Sequence, residues 1–234
     1  MYLSINSATK VIVGTWRALG ALSFKVFAVM VAAIALTFAS TSSLAADAAA
    51  ARKTCESLKG QLIGGARLVD TALVTPASGA GGDYCKVTGK IHGTLNFEIH
   101  LPVQWNQKLI YAGGGGFNGF IHPQTLSPSG NSGYALVASD SGHQGGPFDA
   151  SWALNNPRAQ QEYADLSVHT VLQAANAIVE KHYRSSVERR YFEGCSNGGR
   201  EALIAASRFP HDFDGIVARA PAWNFTKLFL AFNR

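Results

Sequence analysis

The residues with the clearest chemical content are Gly194-Cys195-Ser196-Asn197-Gly198. A serine with glycine two positions away on either side is the pattern of a tight turn that presents a nucleophilic hydroxyl. The bare pattern occurs often by chance, so its context decides what it is worth. Arg190-Tyr191-Phe192-Glu193 leads in with strand-like composition, and Glu201-Ala202-Leu203-Ile204-Ala205-Ala206 leads out as a helix of small residues. A strand turning sharply into a helix lifts the Ser196 hydroxyl above the sheet edge. Side chains at positions 194 and 198 would crowd the neighbouring helix and strand. The helix N-terminus adds unpaired N–H groups and a positive dipole end. The Asn197 N–H, directly after the serine, is placed to donate to an oxyanion. The chemistry so provided is acyl transfer through a covalent intermediate.

An oxyanion needs a second donor, from the loop after an earlier strand. Gly113-Gly114-Gly115-Gly116 follows the apolar stretch Lys108–Ala112 (KLIYA) at that place in the order. Glycines let backbone N–H groups approach a reacting carbonyl without obstruction, and Gly115 and Gly116 are the candidate donors. The same run also spells Gly114-x-Gly116-x-x-Gly119, with Asp140 at the end of the next strand, which is a dinucleotide-binding spacing. That reading requires a helix to open at the glycines. Pro123, Pro128 and scattered Ser and Gly between 121 and 133 argue against one.

A serine nucleophile also needs a histidine base and an orienting carboxylate. After Ser196 the sequence holds one histidine, His211, with Asp212 and Asp214 nearby. They fall between the helix and the very next strand, at the end of the sheet away from the nucleophile, and read as turn residues. His143 follows a strand and could border the pocket. His169 lies within a long helix. His92, His100, His122 and His182 form no constellation, and no Cys/His metal spacing is present. The sequence therefore carries a nucleophile and an oxyanion hole without a base. The expectation is that residues 46–234 are the N-terminal part of a catalytic domain whose remainder lies beyond Arg234. The alternative is a truncated, non-catalytic fragment.

The elements that must position these residues follow from periodicity. Lys86–Ile91 and Asn96–Leu101 predict a β-hairpin. Lys108–Ala112, Tyr134–Ser139, Arg190–Glu193 and Gly215–Ala218 predict short buried strands. Apolar residues at helical spacing predict a helix from about Tyr163 to His182. Arg200–Arg208 predicts a second, and residues 225–234 begin a third. Residues 46–54 read as a linker. Strands separated by helices imply a mostly parallel sheet covered on its faces.

Composition sets the outer limits. The chain has 234 residues, 47% of them hydrophobic and 15% charged, which excludes a disordered protein. Its net charge is +5, but Lys10, Arg17 and Lys25 precede an apolar run from Val26 to Leu36. With the acid-free leader removed, 17 Lys/Arg face 15 Asp/Glu. That is no footprint for nucleic acid. The run is followed by Ser43-Leu44-Ala45-Ala46, which predicts a signal peptide over residues 1–45, cleaved after Ala45. A run of eleven is too short to span a bilayer, so no membrane association is expected after cleavage. Export to the periplasm or medium favours disulfides. Cys55–Cys85 is the expected pair, leaving Cys195 odd.

With these motifs in hand, the segment from Cys85 to Phe225 resembles the tannase/feruloyl esterase family of exported serine esterases. The matching stretches are Tyr84-Cys85-Lys86-Val87-Thr88-Gly89, Pro102-x-x-Trp105-Asn106, Gly113-Gly114-Gly115-Gly116-Phe117-x-Gly119 and Asp140-Ser141-Gly142-His143. They continue with Tyr191-Phe192-x-Gly194-Cys195-Ser196-x-Gly198-Gly199-Arg200, Asp212-Phe213-Asp214-Gly215-Ile216 and Ala220-Pro221-Ala222. The resemblance implies an α/β-hydrolase core, incomplete here. It implies Ser196 as nucleophile, with oxyanion donors from the glycine run and Asn197, and a small aromatic ester of a phenolic acid as substrate. It further implies that Cys195 pairs with a cysteine beside the catalytic histidine. The acid, the histidine, that cysteine and a lid domain with structural calcium have no matching positions in this chain.

Overall fold

The computed structural model describes residues 49–76, 82–126 and 133–232. The expected signal peptide at 1–45 lies outside the described residues. Eight strands form one mixed sheet: β1 (Leu62–Ile63), β2 (Ala66–Val74), β3 (Tyr84–Ile91), β4 (Leu95–Pro102), β5 (Lys108–Ala112), β6 (Ala135–Ser139), β7 (Arg189–Cys195) and β8 (Gly215–Arg219). Their order is β1-β2-β3-β4-β6-β5-β7-β8. The β3–β4 hairpin has the expected place, with Ile91 opposite Leu95 and Tyr84 opposite Pro102.

The expectation of a mostly parallel sheet is corrected. Pairing is antiparallel from β1 through β4 and on to β6, and parallel only across β6-β5-β7-β8. The difference arises in residues 62–102, where short turns such as His92-Gly93-Thr94 allow only hairpin connections. β1 and β2 were not legible, because β2 carries Arg67, Asp70 and Thr71 among its apolar residues and a register shift between Leu68 and Asp70 breaks its alternation.

Helix α1 (described residues 49–56) replaces the expected linker. Its alanines are the strongest helix formers, and its Cys55 is disulfide-bonded to Cys85 of β3. A loop of 30 residues so closed restricts the unfolded chain by roughly 3–4 kcal/mol. α2 (Pro157–Gln161) starts with an Asn156 side-chain cap and a proline in its first turn. A π-helical turn, Glu162–Leu166, joins it to α3 (Ser167–Tyr183). α3 buries Val168, Val171, Leu172, Ala175, Ile178 and Val179, the stripe read from the sequence. It lies on the sheet face that carries Leu109, Tyr111, Val137 and Phe192. α4 (Asn197–Arg208) begins where β7 ends, and α5 (Phe225–Phe232) follows β8. The opposite face of the sheet holds a smaller cluster around Ile110, Ala112, Leu136 and Ala138. Among the described residues no helix is long and apolar enough to cross a membrane.

Candidate active site

Ser196 is the hinge between β7 and α4. Its backbone sits at φ 58° and ψ −116°, a conformation that side-chain-bearing residues avoid and that costs about 1–3 kcal/mol. The turn is held by Ser196 N–H donating to Arg219 O at 3.1 Å and by Ala222 N–H donating to Ser196 O at 2.9 Å. Ser196 is exposed. The flanking glycines are dictated by space. A Cβ at Gly194 would collide with the Gly198 carbonyl, and one at Gly198 would stand 2.8 Å from Gly114 O. A Cβ at Gly113 would lie 2.7 Å from Gly198 Cα. The glycine run and the start of α4 therefore meet backbone to backbone.

That contact is also hydrogen-bonded, Gly198 N–H donating to Gly114 O at 2.8 Å. Along the run, Gly113 N–H donates to Glu193 O and Gly114 N–H to the Glu201 carboxyl. Phe117 N–H donates to Pro147 O, and Asn118 N–H to Gly115 O. Among the described hydrogen bonds none takes the N–H of Gly115, Gly116 or Asn197. These are the groups singled out from the sequence as oxyanion donors. No helix opens at the glycines; the chain makes a turn and then a 3₁₀ turn at Pro123–Leu126. Asp140 is occupied by the Asn96 N–H and side chain, Gly142 N–H and Gln144. The dinucleotide geometry is absent.

Beneath the turn is a buried polar network that sequence reasoning missed. Glu201, one turn along α4 from Asn197, accepts from Asn118 Nδ2 at 2.7 Å, Asn197 Nδ2 at 3.2 Å and Gly114 N–H at 3.0 Å. The Ser141 hydroxyl lies 3.3 Å from the same carboxyl and 2.5 Å from Asn118 Nδ2. Tyr163, carried by the π turn, places its hydroxyl 2.9 Å from Asn197 Oδ1 and 3.3 Å from Gly116 O. Burial pushes its pKa up to about 12, so it stays a donor. Arg200 stacks 4.4 Å from the Tyr163 ring and donates to Asn197 Oδ1. Asn118 and Ser141 also have left-handed φ, 59° and 61°. The one available signal was Glu201 itself, a charged residue on the buried face of a small-residue helix.

Of the described histidines His122 lines the cleft at the C-terminal ends of the parallel strands, and the others fall elsewhere. His143 does not border the cleft. It is 4% exposed, stacked on Trp152 at 3.7 Å, with Nε2 bonded to Phe117 O at 2.7 Å. His169 Nδ1 pairs with Asp212 Oδ2 at 2.8 Å and stacks on Phe209. This histidine–carboxylate pair was not foreseen, but Phe209 caps the far end of α4. Twelve helical residues separate the pair from Ser196, about 18 Å. Asp214 binds Arg189 and the Arg190 N–H at the entry to β7, also at the opposite end. His211 is an exposed turn residue. Among the described residues no histidine is hydrogen-bonded to Ser196. Cys195 is a free, exposed thiol. Among the described residues no group of three or more His, Cys, Asp or Glu side chains is placed to hold a metal ion.

A cleft of about 460 Å³ runs along the C-terminal ends of β5, β6, β7 and β8. It is lined by Gly113–Gly115, by Gly194 and Cys195, which directly precede Ser196, by the apolar Phe120, Ile121, Ala138 and Pro147, and by His122, Glu193 and Arg219.

Comparison with known proteins agrees with this geometry. The family model described as tannase and feruloyl esterase matches residues 80–234. An uncharacterized esterase of Agrobacterium fabrum is 36% identical over 181 residues, 70% of this chain and 33% of that protein. A mono(2-hydroxyethyl) terephthalate hydrolase of Piscinibacter sakaiensis is 31% identical over 211 residues, 76% of this chain and 35% of that protein. Feruloyl esterase B of Aspergillus oryzae superposes with a TM-score of 0.66 at 24% identity, covering 76% of this chain and 38% of that one. The chain spans about a third of the length of the curated relatives it matches. The sheet order, the strand–serine–helix turn and the match over residues 80–234 lead to one assignment: the chain has an incomplete α/β-hydrolase core and belongs to the tannase and feruloyl esterase family.

Proposed function

We propose that this chain carries the nucleophile and oxyanion hole of a serine carboxylic ester hydrolase acting on small aromatic esters of phenolic acids. The observation that carries the reading is the strained, exposed Ser196 at the junction of β7 and α4, with the N–H groups of Asn197, Gly115 and Gly116 taken by none of the described hydrogen bonds. Ser196 Oγ attacks the ester carbonyl as its proton passes to a base. The N–H groups of Asn197, Gly115 and Gly116 receive the charge that develops on the carbonyl oxygen. The tetrahedral species expels the alcohol, leaving an acyl-enzyme, and water releases the aromatic acid. The apolar walls of the cleft, Phe120 and Ile121 among them, suit a planar acyl group. Relatives named as feruloyl esterases and as a mono(2-hydroxyethyl) terephthalate hydrolase are named for esters of the same aromatic class. The Cys55–Cys85 disulfide supports an exported enzyme.

The test is release of ferulate from methyl ferulate, followed by chromatography, for the full protein and for Ser196→Ala. Loss of turnover in the variant is expected, and a variant as active as the parent would refute the assignment. A preference for an aliphatic butyrate ester over the ferulate would refute the substrate class alone. A second reading, that the 234-residue chain has no efficient turnover of its own, is favoured by the absence of any described histidine bonded to Ser196. Assaying the isolated chain decides it. Only the residual rate of an oxyanion hole without its base is expected.

A further inference from the structure

Resting on the reading of Ser196 as nucleophile, we propose that Glu201 is a positioning residue that clamps the Gly114 peptide to α4 and so aims the Gly115 and Gly116 N–H groups at the substrate carbonyl. Four consecutive glycines have no side chains to fix them and the widest backbone freedom of any residue. Something outside the run must hold it. The Gly114 N–H donates to Glu201 Oε2 at 3.0 Å, and the Gly114 carbonyl accepts from Gly198 N–H at 2.8 Å. Both partners belong to α4, the helix that begins at the nucleophile. The donor-bearing loop and the serine are thereby tied to one rigid element.

Glu201 is itself immobilised. It is 5% exposed, and its Oε1 accepts from Asn118 Nδ2 and Asn197 Nδ2, with the Ser141 hydroxyl alongside. Asn118 belongs to the turn after the glycines and Ser141 to the turn after β6, so the carboxyl gathers three chain segments. All four neighbours present hydrogens, which two carboxyl oxygens can accept and an apolar side chain could not. Leaving such buried donors unpaired costs about 1–3 kcal/mol each. The catalytic consequence is larger than the energetic one, because a displacement of about 1 Å in a reacting geometry costs about a hundredfold in rate.

The test uses the full protein with Glu201→Ala, Glu201→Asp and Glu201→Gln. A fluorophosphonate counts reactive serines, and kcat and KM for methyl ferulate are expressed per titrated site. Glu201→Asp keeps a carboxyl but falls short of Gly114 by one methylene, whereas Glu201→Gln keeps the reach and one acceptor oxygen. For Ala and Asp, kcat per site should fall by about tenfold or more with KM within about twofold. The Gln variant, which keeps an acceptor in reach of Gly114 but turns an NH2 toward the Asn118, Asn197 and Ser141 donors, should fall between the parent and Asp. A merely structural role would lower the melting temperature and the number of titrated sites while leaving kcat per site unchanged. Values within threefold for Ala and Asp, or a Gln variant as poor as Asp, overturn the proposal. Should the Ala variant fail to fold, the Asp–Gln comparison decides. Failure of the underlying reading shows differently, as turnover retained by Ser196→Ala and labelling at another residue, and the proposal falls with it.

Discussion

Replacing Gly198 with alanine tests the backbone-to-backbone seam on which the site is built. The added Cβ would stand 2.8 Å from Gly114 O and 2.9 Å from Gly113 C. Both are backbone atoms, held by β5 on one side and by the Glu201 carboxyl on the other, so neither can swing aside. Ordinary contact begins near 3.4 Å, so α4 and the glycine run must part by about 0.6 Å. The Gly198 N–H···O Gly114 bond, now 2.8 Å, then stretches to about 3.4 Å and is lost as a useful bond. Overpacking costs about 1–3 kcal/mol and the bond about 1 kcal/mol, so roughly 2–4 kcal/mol together. At about 2–4 °C per kcal/mol for a domain of this size, the melting temperature should fall by about 5–15 °C. On the proposed mechanism turnover should fall with it, since the same displacement moves Gly115 and Gly116 away from Ser196. Circular dichroism melts and ferulate release measure the two effects. Gly115→Ala is the control for stability, because a Cβ there meets nothing within 4 Å and should shift the melt by about 1 °C or less. A Gly198→Ala protein that melts within 2 °C of the parent and keeps its rate would refute the seam.

Other consequences are as direct. Cys85→Ser, or reduction by dithiothreitol, removes a 30-residue loop closure and should cost about 3–4 kcal/mol, read as a lower urea midpoint with a steeper slope, since the unfolded chain without its cross-link exposes more surface. Burial holds the His143 pKa below its ordinary 6.5, against the pull of the Phe117 and Ser141 backbone and of the Asp140 and Asp149 carboxylates. The folded state therefore favours neutral imidazole. The stability so gained is full above pH 6.5 and is lost as pH falls toward the folded pKa. His182, also depressed by burial, acts in the same sense, while Glu162, raised by burial, acts in the opposite one. Melting temperature should drop between pH 7 and 5.5, with a shallower slope in His143→Gln; an unchanged slope would show that His143 is not the titrating group.

The sequence by itself determined the strand–serine–helix turn, because Gly194 and Gly198 are required wherever two backbones meet at that distance. It determined the α3 stripe, whose period survives any tertiary context, and the candidate donors Gly115, Gly116 and Asn197, which follow from chain order. It gave no hint of β2, whose polar residues and register shift between Leu68 and Asp70 leave no alternating apolar signature. Nor could it show that His143 is buried under Trp152, or that His169 and Asp212 meet 43 positions apart. Apart from the charge of Glu201 on an otherwise small-residue helix, the Glu201 network lay out of reach of sequence. Glu201, Asn118 and Ser141 come from three segments between residues 118 and 201, and the latter two are unremarkable alone. Only folding brings their donors and acceptors within 3.3 Å. Local backbone geometry is encoded by the residues that adopt it, whereas a buried hydrogen-bond network exists only once the sheet has fixed which loops are neighbours.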